Sequence, residues 1–157
     1  MTDPTRLVRS EMRPPATDAE WAVYHAIRRR VLFTLRGDDA RYDPDHPDEH
    51  RAGHHPMILW DGASAVGVIR IDVRDAVAIL RRVAVRDDVQ RRGYGRRMLR
   101  LAVEFARQHQ CRRVDSYVDP DAVGFYARCG FERVSGHASS DGGILMRLSL
   151  PAAASGE

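Results

Sequence analysis

Runs of apolar residues along the chain predict a sheet built mainly from strands that follow one another in sequence. The segments 66–73 and 76–85 are apolar runs of strand type, and Arg74 with Asp75 lies between them, where a hairpin turn is expected. Further strands are expected at residues 7–13, 57–60, 113–118, 131–134 and 144–150. The last two are expected to form an antiparallel pair that closes the sheet.

The longer amphipathic segments predict helices. Thr17 and Glu20 form a capping-box pattern, which predicts a helix that starts there and extends to about Arg30. Its expected buried positions are Trp21, Tyr24, Ala26, Ile27 and Val31. A second helix is expected over 96–109. Its apolar face consists of Met98, Leu99, Ala102, Val103, Phe105 and Ala106.

The order of the elements predicts an α+β fold, an α/β sandwich on a mixed, mostly antiparallel sheet of about six or seven strands. The strand ending at Val85 and the strand containing Val114 are joined by a glycine loop and a helix. We therefore expect them to be parallel, with a right-handed crossover. A short third helix at 121–129 should end at Gly130, because glycine readily adopts the left-handed conformation that closes a helix. Residues 37–55, rich in Asp, His, Pro and Arg, are expected to form a long loop or a broken helix, and so long a loop is usually functional or disordered.

The length of 157 residues predicts one domain, 1–157, with a core at about 5–150 and a frayed tail at 151–157. Hydrophobic residues make up 43% and charged residues 30%, which is typical of a soluble globular protein. No apolar run approaches the roughly 20 residues of a membrane span, and the N-terminus lacks the basic and apolar regions of a secretory signal. We therefore expect a cytoplasmic protein with no membrane partner.

The cysteines and the basic residues exclude several kinds of chemistry. Two cysteines without a Cys/His cluster predict neither a disulfide framework nor a zinc site, and no other metal is implied. All 25 Lys+Arg residues are arginines, so a Schiff-base lysine and a Walker-type phosphate lysine are both excluded. The 22 acidic residues nearly balance them and aromatic residues make up only 7%, so we expect no nucleic-acid partner.

Gly93 and Gly95 lie between a buried strand and an amphipathic helix, and this arrangement predicts a phosphate site. The first amides of a helix lack helical acceptors, and the helix dipole places partial positive charge there. Glycine lets an anion approach the backbone closely. A dinucleotide fingerprint is excluded because Met98 occupies the position of its third glycine, and a Walker loop is excluded because lysine is absent.

The segment 80–99 together with residues 119–132 resembles two motifs of the GNAT superfamily of N-acetyltransferases. The first segment is similar to the family's acyl-CoA motif, in which a Val-x-Val strand is followed by Gln/Arg-x-x-Gly-x-Gly and a helix. The second reads DPDAVGFYARCGFE and is similar to the family's Asn-x-x-Ala-x-x-Phe-Tyr-x-x-x-Gly-Phe motif. The stretch RVLF at 30–33, with the acidic, histidine-containing loop after it, resembles ElaA-like members of the family.

The resemblance implies an acetyl-CoA-dependent N-acetyltransferase that transfers an acetyl group to a primary amine by direct attack. It implies that acetyl-CoA, leaving as CoA, is held by Val83, Val85, Gln90, Arg91, Arg92, Gly93, Tyr94, Gly95, Arg96 and Asp119. The two valines are implied to pair their backbone with the pantetheine arm, in a gap between Val85 and Val114, and the loop amides to hold the pyrophosphate. Tyr126 is implied to protonate the departing thiolate, for which a tyrosine with a pKa of about 10 is suited.

Two parts of the implied site stay open. Asp119 stands where the family usually has an Asn that contacts the cofactor arm, and an ionised Asp accepts but cannot donate a hydrogen bond. How much of the Asn role it keeps is therefore undecided. The base that deprotonates the amine is also undecided: Asp72, Asp115, His54 and His55 are candidates, and a water-mediated route is the default interpretation.

The acceptor is expected to be a small-molecule or peptide amine. The acidic residues of the 37–55 loop predict either a rim that attracts a cationic amine or a solvated loop balanced by arginines, and the second interpretation is preferred. The resemblance is compatible with a homodimer. From another functional class, the alternative is an acyl-CoA-binding regulatory or interaction module without turnover.

Overall fold

The structure, a computed structural model, describes residues 9–138 and 143–152. Within them, seven strands form one sheet in the order β1–β2–β3–β4–β5–β7–β6. The strands are β1 (Glu11–Arg13), β2 (His54–Asp61), β3 (Ser64–Arg74), β4 (Val77–Val85), β5 (Arg113–Val118), β6 (Glu132–Ala138) and β7 (Ile144–Ser149). The helices are α1 (Asp18–Leu32), α2 (Tyr94–Gln108) and α3 (Val123–Arg128). β4 and β5 are parallel and the other neighbouring pairs are antiparallel, so the predicted mixed α+β fold is confirmed.

The predicted hairpin and the closing strand pair are confirmed. The hairpin joins β3 to β4 through Asp75 and Ala76, which both have positive φ and so turn the chain tightly. The strand predicted over 113–118 coincides with β5, and β6 and β7 form the expected antiparallel pair. The third helix ends before Gly130, whose φ of 94° is the predicted left-handed conformation.

Two predictions at less regular parts of the chain need correction. The predicted first strand, 7–13, is shorter than expected: β1 starts at Glu11, and the described Arg9 and Ser10 precede it. Residues 1–8, and residues 153–157 of the predicted tail, lie outside the described part of the chain. The long loop ends earlier than expected, since β2 already starts at His54. Between α1 and β2 the chain forms short 3-10 turns at Thr34–Arg36, Asp39–Arg41 and Pro47–His50.

The helix α1 begins at the predicted capping box. The Glu20 N–H donates to Thr17 Oγ1 at 3.1 Å, and the Glu20 carboxylate accepts from the backbone N–H of Ala16 at 2.9 Å. Two otherwise unpaired amides at the helix start are satisfied in this way. The capping box therefore sets where α1 begins and hence which of its residues face the sheet.

Helices cover both faces of the sheet. On one face α1 packs through Tyr24 and Ile27, as predicted, whereas Ala26 is exposed and Arg28 is buried in its place. On the other face α2 buries Met98, Leu99, Ala102 and Ala106. The remaining predicted positions of its apolar face, Val103 and Phe105, are half-buried against the same core. No helix in the described residues is long and apolar enough to cross a membrane.

The sheet opens between β4 and β5. The two strands pair only over residues 77–80 and 113–116, although β4 extends five residues further. A β-bulge in β4 lies where pairing stops, and its residue Arg82 has a φ of 55°. The predicted gap is therefore present but displaced: Val114 pairs with Ala78 inside the closed part, and the opening begins beyond Leu80 and Ser116.

Candidate active site

The loop after β4 presents its backbone at the start of α2. Gly93 is the N-cap of this helix, with a φ of 87°, and Arg91 is also left-handed, with a φ of 66°. The amides of Gly95 and Arg96 fall in the first turn, where the helix offers no acceptor. Alternating left-handed residues turn successive amides toward one point, which suits an anion. The geometry thus supports the predicted phosphate site.

Some side chains of the loop hold it in place, and others are exposed to solvent. Gln90 Nε2 donates to the Val85 carbonyl at 3.0 Å, which ties the loop to the end of β4. Arg92 and Arg96 are exposed, and with Arg91 they surround the loop with positive charge. The side chain of Tyr94 instead points into the core, so its predicted cofactor contact is limited to the backbone.

The Tyr94 side chain has a structural partner of its own. Its buried hydroxyl donates to the Asp61 carboxylate at the end of β2. This hydrogen bond connects the first turn of α2 to the β2–β3 turn and helps to fix the direction of the helix. The orientation of the phosphate loop therefore depends on a contact on the side of α2 that faces the core.

Gly95 allows the first turn of α2 to pack closely against its neighbours. A Cβ at this position would lie 3.3 Å from Phe125 Cζ and 3.7 Å from Val85 Cγ2. The first turn of α2 therefore sits directly against α3 and the end of β4. Only glycine leaves this approach undisturbed.

Replacing Gly95 with valine should weaken the binding of CoA about tenfold or more, because the side chain displaces the first turn of α2 and its amides. Isothermal calorimetry with CoA measures the dissociation constant. Gln108→Val is the matched control, since it places the same side chain at an exposed position near the end of the same helix. A Gly95→Val dissociation constant within about twofold of the wild type would contradict the assigned binding site.

Tyr126 reaches the point where β4 and β5 separate. It is 5% exposed on α3, and its ring packs edge-on against Phe125 and Phe131. Ser116, the last residue of β5 that pairs with β4, donates from Oγ to the Tyr126 hydroxyl at 3.3 Å. Burial raises the pKa of Tyr126, so the phenol keeps its proton at neutral pH. The hydroxyl is thus placed as a proton donor at the inner end of the gap.

Val83 and Val85 form the β4 edge of the gap, and Asp119 lies just beyond β5. Val85 pairs with Gly67 of β3 on one side and has no β5 partner on the other. Asp119 is exposed, and its carboxylate pairs with Arg36 Nη2 at 3.1 Å. This ion pair links the end of β5 to the turn after α1 across the mouth of the gap.

The two aspartates predicted as bases are held in ion pairs. Asp72 accepts from the Arg70 guanidinium at 2.7 and 2.8 Å. Asp115 accepts from Arg147 at 2.8 and 3.1 Å and from Arg113 at 3.3 Å. Both carboxylates are therefore occupied by arginine donors.

The two predicted histidines lie on opposite faces of the sheet edge. His54 Nδ1 lies 2.5 Å from the Asp48 carbonyl, and its Nε2 lies 3.4 Å from the Asp72 carboxylate. His55 packs against Phe105 of α2 and against His109, which caps the end of that helix. Burial lowers the pKa of His55, and the neighbouring His109 lowers it further. Of the two histidines, only His54 lies on the face of the sheet against which α1 packs.

A buried network missed by the sequence analysis joins the loop to α1. Glu49 is 3% exposed, accepts from the Tyr24 hydroxyl at 2.6 Å and pairs with the buried Arg28. Although burial opposes it, hydrogen bonding and charge from Arg28 hold the pKa of Glu49 below its usual range. The spacing of Tyr24 and Arg28 on one face of α1 is a weak signal, and nothing local identifies Glu49 as their partner.

Several carboxylates of the acidic loop pair with arginines, in partial agreement with the preferred interpretation, although Arg36 pairs with Asp119 instead and Glu49 is buried. Asp39 pairs with Arg29 at 2.7 Å, and Asp48 pairs with Arg51 at 3.0 Å. A rim with unpaired negative charge is thus not supported by these residues. The described residues also contain no group of three or more His, Cys, Asp or Glu side chains placed to hold a metal.

Comparison with known proteins gives one family and many similar folds. The sequence model of the acetyltransferase (GNAT) family matches residues 19–131. A candidate N-acetyltransferase from Lactobacillus plantarum is 24% identical, with a TM-score of 0.75 over 90% of this chain and 99% of that one. Escherichia coli ElaA is 16% identical, with a TM-score of 0.73 over 88% and 97%. The PaiA N-acetyltransferase of Thermoplasma acidophilum, solved with coenzyme A, is 12% identical, with a TM-score of 0.69 over 90% and 99%.

Proposed function

The chain belongs to the acetyltransferase (GNAT) family, and we propose from this membership that it transfers an acetyl group from acetyl-CoA to a primary amine. One observation carries the proposal: the Tyr126 hydroxyl lies at the inner end of the β4–β5 gap, and the amide-lined loop starts at its outer end. An extended thioester with a pyrophosphate at one end suits such a groove. Acetyl-CoA supplies the acyl group as a thioester of a thiol that can leave as a thiolate.

Different residues of the chain bind different parts of acetyl-CoA. The amides of Gly95 and Arg96 donate to the pyrophosphate, while the surrounding arginines add attraction at longer range. The free edge of β4 at Val83 and Val85 pairs with the amides of the pantetheine arm, as an added strand would. Binding along the whole arm places the thioester beside Tyr126.

Two proton movements accompany the transfer. The Tyr126 hydroxyl donates its proton to the departing sulfur, and Ser116 holds the phenolic oxygen in place. The amine loses its proton through water, because Asp72 and Asp115 are engaged with arginines. Helices α2 and α3 fill one face of the sheet, so the amine enters from the face that carries α1.

Release of CoA with a panel of amines, together with mass spectrometry of the products, tests the proposal. We expect acetylated amine and CoA in equal amounts. Binding of acetyl-CoA without turnover of any amine would instead favour a regulatory or interaction module that keeps the loop. Failure to bind acetyl-CoA at all would contradict both functions.

A further inference from the structure

Arginines outnumber carboxylates on the α1 side of the β4–β5 gap. The guanidinium groups belong to Arg28 of α1, Arg70 of β3, and Arg81 and Arg82 of β4. Glu49 pairs with Arg28, and Asp72 pairs with Arg70 and lies 3.8 Å from Arg81. On the same face, Asp115 is shared by Arg113 and Arg147. Among these side chains six arginines stand against three carboxylates, which leaves a net positive surface beside the gap.

Among the described residues, the Arg82 guanidinium has no carboxylate to accept from its N–H groups. In the described part of the chain, no carboxylate lies within 4.0 Å of its guanidinium, which instead sits 5.6 Å from the ring centre of Phe33. The surrounding protein lowers the pKa of Arg82 by desolvation, and Arg28, Arg70 and Arg81 lower it further by their charge. An arginine in such a position gains most from an incoming anion.

Arg82 lies on β4 two residues beyond Leu80, whose partner Ser116 contacts the Tyr126 hydroxyl. Its left-handed φ of 55° belongs to the bulge, and the next residue is Val83 on the free edge of the gap. A non-glycine residue in this conformation is strained and persists where the surroundings impose it. Across the gap, the Arg81 guanidinium lies 5.7 Å from the ring centre of Tyr117 on β5. The positive side chains thus border the entrance opposite Tyr126.

We propose that the acceptor amine also carries an oxyanion, a carboxylate or a phosphate, which the Arg82 guanidinium binds in a bidentate manner. The proposal rests on the proposed acetyl transfer and specifies its substrate class. A planar guanidinium matches both oxyanions, and like charge disfavours polycationic amines. The positive surface also favours the neutral form of the amine, which is the form that attacks the thioester.

Matched amines test the proposal. Turnover with acetyl-CoA is measured for amino acids from glycine to 6-aminohexanoate and for their uncharged carboxamides. Phosphoethanolamine is compared with ethanolamine, and spermidine is included. Within each pair, we expect kcat/KM of the amine that carries an oxyanion to exceed that of its counterpart without one about tenfold or more. The ratio of kcat/KM within the amino acid and carboxamide pairs, compared with the ratio for phosphoethanolamine and ethanolamine, shows which oxyanion is preferred.

Arg82→Gln should lower kcat/KM for the anionic amines about 10- to 100-fold and change that of the neutral counterparts by less than about threefold. Arg82→Lys keeps the charge without the planar fork. Its kcat/KM for the anionic amines should therefore lie between those of the wild type and Arg82→Gln. Arg107→Gln, at an exposed position near the end of α2, is the matched control. The melting temperature of each variant shows that it is folded.

Turnover of carboxamides or spermidine equal to that of the anionic amines would overturn the proposal and leave acetyl transfer intact. An Arg82→Gln defect of the same size for charged and neutral amines would do so as well. Without acetylation of any amine, the proposed function fails. Calorimetry of amino acids and carboxamides with the CoA-bound protein then decides the charge preference, and equal affinity for the two overturns it.

Discussion

Tyr126→Phe should lower kcat for amine acetylation about 100-fold or more, because general-acid assistance to the leaving thiolate is lost. The Phe ring preserves the edge-on contacts with Phe125 and Phe131 and removes only the hydroxyl that Ser116 contacts. The KM for acetyl-CoA and the dissociation constant of CoA should therefore change by less than about threefold. Steady-state kinetics and calorimetry separate the two effects.

The leaving group and the pH dependence distinguish a proton donor from a residue that only packs. With an acetyl thioester of a less basic thiol, the Tyr126→Phe deficit should shrink, because such a thiolate needs less protonation. Burial raises the pKa of Tyr126, so the proton donor is present at every pH below about 10. A loss of kcat below about threefold, or a deficit independent of the thiol, would contradict the role of Tyr126.

Glu49→Gln should destabilise the fold by about 3–5 kcal/mol, because it leaves the buried Arg28 guanidinium without a counter-charge. The amide retains the size of the side chain, so the loss reflects charge rather than packing. Asp39→Asn is the matched control: its ion pair with Arg29 is exposed, and its removal should cost at most about 1 kcal/mol. Urea unfolding measures both free energies.

The pH dependence of the Glu49 effect follows from the direction of its pKa shift. The folded-state pKa of Glu49 lies below the unfolded value of about 4.3. Its stabilisation is therefore fully present above about pH 4.3 and is lost as the pH falls through the folded pKa. The difference between wild type and Glu49→Gln should be large at pH 7 and shrink in strong acid. A difference no larger than that of Asp39→Asn at pH 7 would show that the pair is not buried in solution.

Local patterns predicted much of the fold. The strands β3 and β4 are apolar runs with turn residues between them, and Thr17 with Glu20 forms a cap within four residues. Each of these signals depends on neighbours in the sequence. The glycine loop and Tyr126 were singled out through two short motifs that resemble those of the family, and the structure brings both to the β4–β5 gap. Their roles stay predictions.

The missed features depend on residues far apart in the sequence. Arg28 is buried because Glu49 reaches it from a loop 21 residues away, which a helical pattern that counts only apolar positions does not show. Asp119 pairs with Arg36, more than eighty residues earlier. The exact start of the gap depends on where β4 and β5 stop pairing, and the bulge at Arg82 has no sequence signature.

The separation of β4 and β5 also bears on how the protein avoids aggregation. Free strand edges are sites where another chain can add and start an intermolecular sheet. Here the unpaired parts of β4 and β5 face each other in the middle of the sheet, between half-sheets covered by helices. At the rim, β1 is only three residues long and is followed by Pro14 and Pro15, which offer no N–H. The gap therefore adds no free strand edge at the rim of the sheet, where another chain could pair with it.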